Sequence, residues 1–254
     1  MMKKLVTAAA LVAMGATAAF AAPAFNAPAT GVVNSVHNIN TLPGATVDAQ
    51  ARVCAFCHTP HHALIDPTGD EQPLWSHQYT GYINNWTPYH SPTLDANITD
   101  PLMGPSRLCM SCHDGVVAAD QHYGIAGTKV GLGGDGFGGR DIGLADASGN
   151  ANFSNDHPIG FDYTLVAGKA PATGSDKGIF GAAGRTFKGN TNNPTITVAD
   201  TLYKGQFMTC ATCHDVHNKD NATNIAASTR NYFVYAPQDG SQLCLTCHDK
   251  GDGL

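Results

Sequence analysis

Eight cysteines occur in four copies of one short pattern, in which two residues separate a pair of cysteines and a histidine follows at once. Two thiols at this spacing can form thioethers with the two vinyl groups on one porphyrin edge, while the following imidazole binds the iron. The pattern therefore predicts four covalently attached c-type haems. The attachment residues are Cys54, Cys57, Cys109, Cys112, Cys210, Cys213, Cys244 and Cys247, and the predicted proximal iron ligands are His58, His113, His214 and His248.

Three other uses of paired cysteines explain the pattern less well. Disulfides suit an exported chain but give no reason for a histidine after every second cysteine. A thioredoxin-like redox pair needs one site on a strand–helix unit, whereas this chain has four copies in a loop-rich sequence. Structural zinc sites with reduced cysteines are uncommon in exported proteins. Haem attachment is the interpretation that accounts for all four histidines.

The four motifs alternate in kind, which indicates an internal repeat. The first and third continue to a second histidine three residues after the proximal one, at His61 and His217. The second and fourth share a different frame, with a serine three residues before the first cysteine and an aspartate after the histidine. The sequence therefore predicts a single tetrahaem domain over residues 22–254, with dihaem half-repeats at about 22–130 and 151–254 joined by a glycine-rich loop.

The composition predicts a mostly irregular fold, with short helices at the haem motifs and very few strands. The chain has Gly 28 and Pro 14, and its apolar runs are short, so stacked haems are expected to supply the core. The local predictions are helix N-caps at Ser106 and Ser241, C-terminal caps at Gly115 and Gly251, a helix after Asp48, and strands at residues 195–198 and 231–235.

The second axial ligands are expected to be histidines. Met110 lies inside a haem motif and Met208 lies two residues before one, so neither can reach the far face of its own haem. Residues three apart on a helix lie on one face, about 5 to 6 Å from each other. His61 and His217 therefore cannot bind the irons of their own motifs. If they are ligands, each reaches a neighbouring iron and brings two haems close together.

The N-terminal segment and the charge limit where the protein acts. Residues 1–21 have Lys3 and Lys4, an uncharged run and the end Ala19-Phe20-Ala21, which predict a secretory signal peptide. The mature protein is then expected to pass through the periplasm to the cell surface or the medium, without a membrane anchor. Lys+Arg 14 against Asp+Glu 20 argues against nucleic acid as a partner.

Seven short motifs follow one another along the chain: Val36-His37-Asn38, Cys54-Ala-Phe-Cys57-His58-Thr-Pro-His61, Pro73-Leu-Trp75, Ser111-Cys112-His113-Asp114-Gly115, Asn155-Asp156-His157-Pro158, Cys213-His214-Asp-Val-His217 and Leu243-Cys244-Leu-Thr-Cys247-His248. This order resembles the doubled-CxxCH cytochromes, and most closely the extracellular tetrahaem cytochromes of the OmcE type, which polymerise into filaments. The resemblance implies the distal ligands His37, His61, His157 and His217. The remaining histidines, His62, His77, His90 and His122, are then expected to be surface residues or propionate partners.

Closely spaced haems with two histidine ligands indicate electron transfer rather than enzymatic catalysis. The resemblance implies a protomer of an extracellular filament, whose partners are further copies of itself, other multihaem cytochromes and extracellular acceptors such as metal oxides. One alternative is a soluble periplasmic tetrahaem shuttle that never assembles. Another is a multihaem reductase, which needs an iron without a sixth ligand. His37 is predicted either to bind a haem of the next protomer or to bind one of its own chain.

Overall fold

The computed structural model describes residues 29–65, 69–70, 73–79, 86–132, 141–143, 151–168, 178–222 and 232–250. The predicted signal peptide, most of the glycine-rich loop and the predicted cap Gly251 lie outside these ranges. Within them, no helix combines the length and the apolar composition that crossing a bilayer requires.

The described helices are short and lie mainly at the haem motifs. They are α1 (Pro105–His113), α2 (Tyr163–Val166), α3 (Val198–Thr201), α4 (Cys210–Cys213) and α5 (Gln242–Cys247), with single 3₁₀ turns at Val32–Asn34, Ile39–Thr41, Val53–Phe56 and Asp239–Ser241. Three of the four motifs thus lie on an α-helix, and the first forms a 3₁₀ turn. Loops and turns make up most of the remaining described chain, as the composition predicts.

Two small sheets hold distant segments together. In the first, β1 (Trp86–Thr87) pairs in parallel with β2 (Ala151–Asn152). In the second, β3 (Phe161–Asp162) pairs antiparallel with β4 (Phe207–Met208), so that Phe161 lies opposite Met208. Because β4 ends two residues before Cys210, the second sheet fixes the entry to the third haem motif.

Apolar side chains form two separate clusters rather than one large core. The first contains Phe161, Tyr163, Phe187, Val198, Leu202, Met208 and Ala236, and the second contains Trp86, Leu102, Met110, Ala151 and Phe153. The Trp86 and Phe153 rings stack with their centroids 4.6 Å apart. Each cluster lies beside haem motifs, because Met110 belongs to α1 and Met208 precedes α4.

Some local predictions are wrong at the first two motifs. Helix α1 begins at Pro105 with Gly104 as its N-cap, because proline suits the first helical position, so Ser106 lies inside the helix and is buried. The predicted helix directly after Asp48 does not form, and the first motif has only the 3₁₀ turn Val53–Phe56. The Asp48 carboxylate instead accepts hydrogen bonds from the backbone and side chain of Arg52, which holds an open turn.

Other local predictions have mixed outcomes. Ser241 does occupy the N-cap position of α5, although its side chain makes no capping hydrogen bond, and Gly115 has the left-handed conformation expected after α1, with φ 71. In the two predicted strand segments, the described residues form only isolated bridges, between Thr186 and Thr197 and between His214 and Val234.

The two-cluster core predicts an uneven response to mutation. Leu102 is fully buried in the second cluster, whereas Leu165 on α2 is 60% exposed. We expect Leu102→Ala to lower the free energy of unfolding by about 2 to 5 kcal/mol, because it leaves a cavity. Leu165→Ala should change it by less than about 0.5 kcal/mol. Denaturant unfolding of the two secreted variants measures both values, and equal losses would contradict the assignment of the second cluster as core.

Candidate haem-binding site

The helices of the second and third motifs contact each other directly. The backbone N–H of Cys210, at the start of α4, donates a hydrogen bond of 3.0 Å to the Ser106 hydroxyl of α1. Gly104 allows this approach, since a β-carbon there would lie 2.7 Å from the ring of Tyr203. The attachment residues of two different motifs are therefore held side by side.

The proximal histidines of the first and third motifs are oriented by backbone carbonyls. Nδ1 of His58 lies 2.6 Å from the carbonyl oxygen of Pro73, and Nδ1 of His214 lies 2.7 Å from that of Tyr232. A carbonyl oxygen only accepts, so Nδ1 carries the hydrogen in both rings. Nε2 is then left unprotonated and free to bind a metal, which is the usual arrangement of a metal-binding histidine.

Three pairs of imidazoles face each other across a nearly constant gap. The ring centroids of His37 and His113 are 6.4 Å apart, those of His58 and His217 are 6.4 Å apart, and those of His157 and His248 are 6.3 Å apart. A metal-bound imidazole nitrogen lies about 2 Å from the metal and about 1.1 Å from its ring centre, so two imidazoles on one iron have centroids about 6 Å apart. Each gap therefore fits one iron with two histidine ligands.

The three pairs join proximal histidines to three of the distal histidines that the resemblance implies. In each half of the chain, the histidine before the first motif faces the histidine of the second motif. His217, in the second half, faces His58 in the first. Because residues far apart in sequence form each pair, the spacing along the chain could not identify them.

His61 and His214 are not paired in this way. Within the described part of the chain, neither ring has another histidine ring facing it at this separation. His61 is exposed on the surface. His214 is also open to solvent, but protein surrounds it closely enough that burial lowers its pKa. One proximal and one distal histidine are thus left over from the same protomer.

His37 lies within the molecule rather than on a free arm. Its ring is 4.8 Å from that of Phe233, and burial, followed by the nearby His113 and His214 rings, lowers the pKa of His37 to about 3. The neutral imidazole is the form that binds a metal. This position supports the alternative in which His37 serves its own chain, and it does not support a role in the next protomer.

The attachment sulfurs form a sequence through the molecule. Cys57 lies near enough to Cys112 to raise the pKa of that thiol, after the larger effect of burial. The thiols of Cys109 and Cys210 hydrogen-bond to each other, which raises the pKa of Cys109. Burial and then Cys247 raise the pKa of Cys213 to about 12. The four motifs are therefore adjacent in the order first, second, third and fourth.

An apolar cavity adjoins the first motif. Its volume is about 550 Å³, and its lining includes Cys54, His58, Pro60, Leu74 and Tyr123. Leu74 is 56% exposed in the structure, although it is large and apolar. A flat hydrophobic ring attached at Cys54 and Cys57 would cover such side chains. The cavity, the carbonyl-oriented histidines and the imidazole gaps all fit a c-type haem.

Two of the histidines that were expected to be surface residues or propionate partners are buried, which contradicts the surface alternative for both. His77 is fully buried, and its Nε2 is 3.3 Å from the sulfur of Cys112. His122 is 4% exposed and contacts the Asp48 carboxylate at 3.2 Å. Neither ring faces a proximal histidine across an iron-sized gap in the described structure. His62 and His90 are exposed, as expected.

Sequence reasoning also missed the residues that shape the short loops after the motifs. The carboxylate of Asp215 accepts hydrogen bonds from the backbone N–H groups of His217 and Lys219. In the first motif the Thr59 hydroxyl takes the corresponding place and donates to the carbonyl oxygen of His61. The only available signal was that a residue with a short oxygen-bearing side chain follows the proximal histidine in both motifs.

Residues 203–253 match the doubled CXXCH motif family. The match covers the third and fourth motifs, and no curated protein matches the chain. Together with the paired imidazoles and the adjacent cysteine motifs, the match supports a multihaem c-type cytochrome, and the CXXCH motifs imply covalently bound c-type haem. Its mostly irregular fold with few short helices agrees with that class, and haem binding of this kind supports a role in electron transfer.

The angles between the paired rings predict distinct spectroscopic signatures. The His58 and His217 rings are nearly parallel, at 7°, whereas the other two pairs cross at 86° and 77°. Near-parallel axial imidazoles give a rhombic low-spin ferric signal, and near-perpendicular ones give a signal dominated by one large g value. Electron paramagnetic resonance of the oxidised protein should therefore show both types. We expect His217→Ala to lower the rhombic signal by the share of one haem per chain, and an unchanged rhombic intensity would contradict the His58–His217 pair.

Proposed function

We propose that the chain carries four haems and transfers electrons along them as a protomer of an extracellular filament. The observation that carries the proposal is the order of the attachment sulfurs. Each motif lies next to the following one, and the two halves are joined by a direct contact between the Cys109 and Cys210 thiols. Haems attached along this row would have neighbouring edges, so electrons could pass from one to the next without leaving the protein.

The leftover histidines favour assembly over an isolated protomer. His217 of the second half reaches back to the iron position of His58 in the first half. His61 occupies the equivalent place after the first motif, and His214 is the proximal histidine that faces no distal histidine in the described part of its own chain. If a second copy repeats the relation between the halves, its His61 faces His214 of the first copy. Such a contact is heterologous and continues indefinitely, which produces a filament.

The alternative, a soluble periplasmic shuttle, shares every contact within the protomer. It differs at His214, whose iron would keep an open position in a protein that never assembles. A reductase would need the same open position together with acid–base groups above it. In the filament the position is closed, and the protein acts as a conductor and not as an enzyme. Its net negative charge and predicted signal peptide fit export and contact with other multihaem cytochromes or metal oxides.

The number of haems can be tested first. If all eight cysteines form thioethers, the intact mass of the purified protein should exceed that of the polypeptide after Ala21 by four haems, and no thiol should react with an alkylating reagent. Mass spectrometry before and after alkylation measures both quantities. A mass with three haems, or one alkylated cysteine pair, would require a smaller electron-transfer chain.

Substitution of His61 tests the filament. We expect His61→Ala to be secreted with four haems but to remain monomeric, with about one high-spin iron per chain. The neighbouring His62→Ala is the matched control, because both residues are exposed and adjacent, and it should form ordinary filaments with low-spin haem. Electron microscopy of the secreted fraction and absorption spectra measure assembly and spin state.

Free imidazole separates ligation from other roles of His61. Added to His61→Ala monomers, it should convert the high-spin iron to low-spin without restoring filaments, because it supplies the ligand but not the connection between copies. Filaments formed by His61→Ala, or a His61→Ala monomer that is entirely low-spin before imidazole is added, would rule out this connection. Wild-type protein that stays monomeric with one high-spin iron would favour the shuttle or the reductase.

A further inference from the structure

His77 is a buried imidazole whose nitrogens both face acceptor atoms. Nε2 lies 3.0 Å from the carbonyl oxygen of Ala118 and 3.3 Å from Sγ of Cys112, and Nδ1 lies 3.1 Å from the carbonyl oxygen of Gln78. Burial lowers the pKa of His77, so the ring is neutral and carries one hydrogen. If the hydrogen is on Nε2, the ring donates toward both the Ala118 carbonyl and the Cys112 sulfur, and only the Gln78 carbonyl faces the unprotonated Nδ1. This tautomer therefore satisfies more acceptors than the one with the hydrogen on Nδ1.

Haem attachment determines which group is the donor in the hydrogen bond between His77 and Cys112. The Cys112 thiol in the structure stands for a thioether sulfur, which has no hydrogen and can only accept. The Nε2–H of His77 is then the donor, shared between this sulfur and the Ala118 carbonyl. With haem attached, a weak hydrogen bond from this buried imidazole would act on the sulfur that joins the porphyrin to the second motif.

His77 belongs to a short segment that connects the first two motifs. The backbone N–H of Ser76 donates to the carbonyl oxygen of Cys57 at 2.9 Å, and the Ser76 hydroxyl donates to that of Ala55 at 2.5 Å. On the other side of His77, the N–H of Gln78 donates to the Gln121 side chain at 2.7 Å. The imidazole is therefore held in place from both sides, and its contact with Cys112 does not depend on a mobile side chain.

The second half of the chain repeats this segment without the histidine. There, the N–H of Tyr235 donates to the carbonyl oxygen of Cys213 at 3.0 Å, as Ser76 does to Cys57. The carbonyl that orients the proximal histidine also has the same position in both segments. It belongs to Pro73, three residues before Ser76, in the first half and to Tyr232, three residues before Tyr235, in the second. The next residue after Tyr235 is Ala236, which is fully buried. A methyl group thus replaces the imidazole in the second half.

The other polar groups described near the attachment sulfurs are carboxylates and hydroxyls rather than imidazoles. Asp114 is buried, and its carboxylate accepts from the N–H groups of Val116 and Val117, so it offers no donor. Near Cys247, the buried Tyr163 hydroxyl donates to the carbonyl oxygen of Phe180 at 2.8 Å and also lies within hydrogen-bonding reach of the Cys247 sulfur. Among the described residues, the contact of 3.3 Å between an imidazole nitrogen and an attachment sulfur lies at the second motif.

We infer that His77 is a positioning residue that raises the reduction potential of the haem attached at Cys109 and Cys112. This inference rests on haem attachment at the second motif, as in the proposed function, but not on filament assembly. A donor at the sulfur withdraws electron density from the porphyrin edge and stabilises the ferrous state over the ferric state. One electron enters the iron on reduction, and the hydrogen of Nε2 stays on His77, so no proton is transferred.

Two substitutions of similar volume test the donor. His77→Leu removes both nitrogens, and we expect the equilibrium constant for reducing one haem to fall about tenfold, which is about 59 mV for one electron. His77→Gln keeps an amide N–H and should retain most of the potential. His90→Ala replaces an exposed histidine and should change nothing. Redox titration followed by electron paramagnetic resonance resolves the haems, and intact mass confirms that each variant carries the wild-type number of haems.

The signal that moves identifies the haem. The second motif has the His37 and His113 rings, which cross at 86°, so the shift must appear in a signal with one large g value and not in the rhombic one. The inference fails if His77→Leu and His77→Gln shift that signal equally, if no signal shifts, or if all signals shift together. Because monomers and filaments can both be titrated, failure to assemble affects the filament proposal alone.

Discussion

Two imidazoles that bind one iron must approach it from opposite sides, with their ring centres about 6 Å apart. This requirement places strict limits on a chain that otherwise has little regular structure. Each of the three observed pairs joins segments that are distant in sequence, so an iron held by each pair would connect the chain as a cross-link does. Helices of four to nine residues suffice around them, because their task is only to present two cysteines and a histidine in the right order.

The polypeptide supports this arrangement with backbone groups more than with side chains. Carbonyl oxygens of Pro73 and Tyr232 orient His58 and His214, and loop residues such as Asp215 fix the turns that follow. The two apolar clusters are small and lie beside the motifs. Large apolar side chains such as Leu74 remain exposed around the first motif. A flat, hydrophobic cofactor would complete the packing that the aliphatic residues leave unfinished.

Because the chain repeats in two halves, the contacts that recur in both halves can be told from those that occur in only one. Equivalent carbonyls, bridges and histidine pairs recur in the two halves, so the site of one half predicts that of the other. Two places break the pattern. His61 and His214 do not face each other within the described protomer, so His61 of a second copy could face His214 of the first. His77 stands where the second half has Ala236, which gives otherwise similar haem sites different surroundings.

The sequence alone determined the covalent chemistry, because thioether attachment depends on residues only three or four positions apart. It also predicted that His61 and His217 do not bind the irons of their own motifs, and His217 indeed lies opposite His58 of the other half. It could not assign the distal partners, because His37 meets His113 and His217 meets His58 only after the chain has folded. The burial of His77 likewise arises from a segment held between two motifs. Predictions from short sequence patterns failed where a nearby residue had a stronger effect. Pro105 starts the helix one residue before the cap expected at Ser106, and the Asp48–Arg52 contact forms in place of a helix. Tertiary structure decided these points because each depends on contacts that no short stretch of sequence contains.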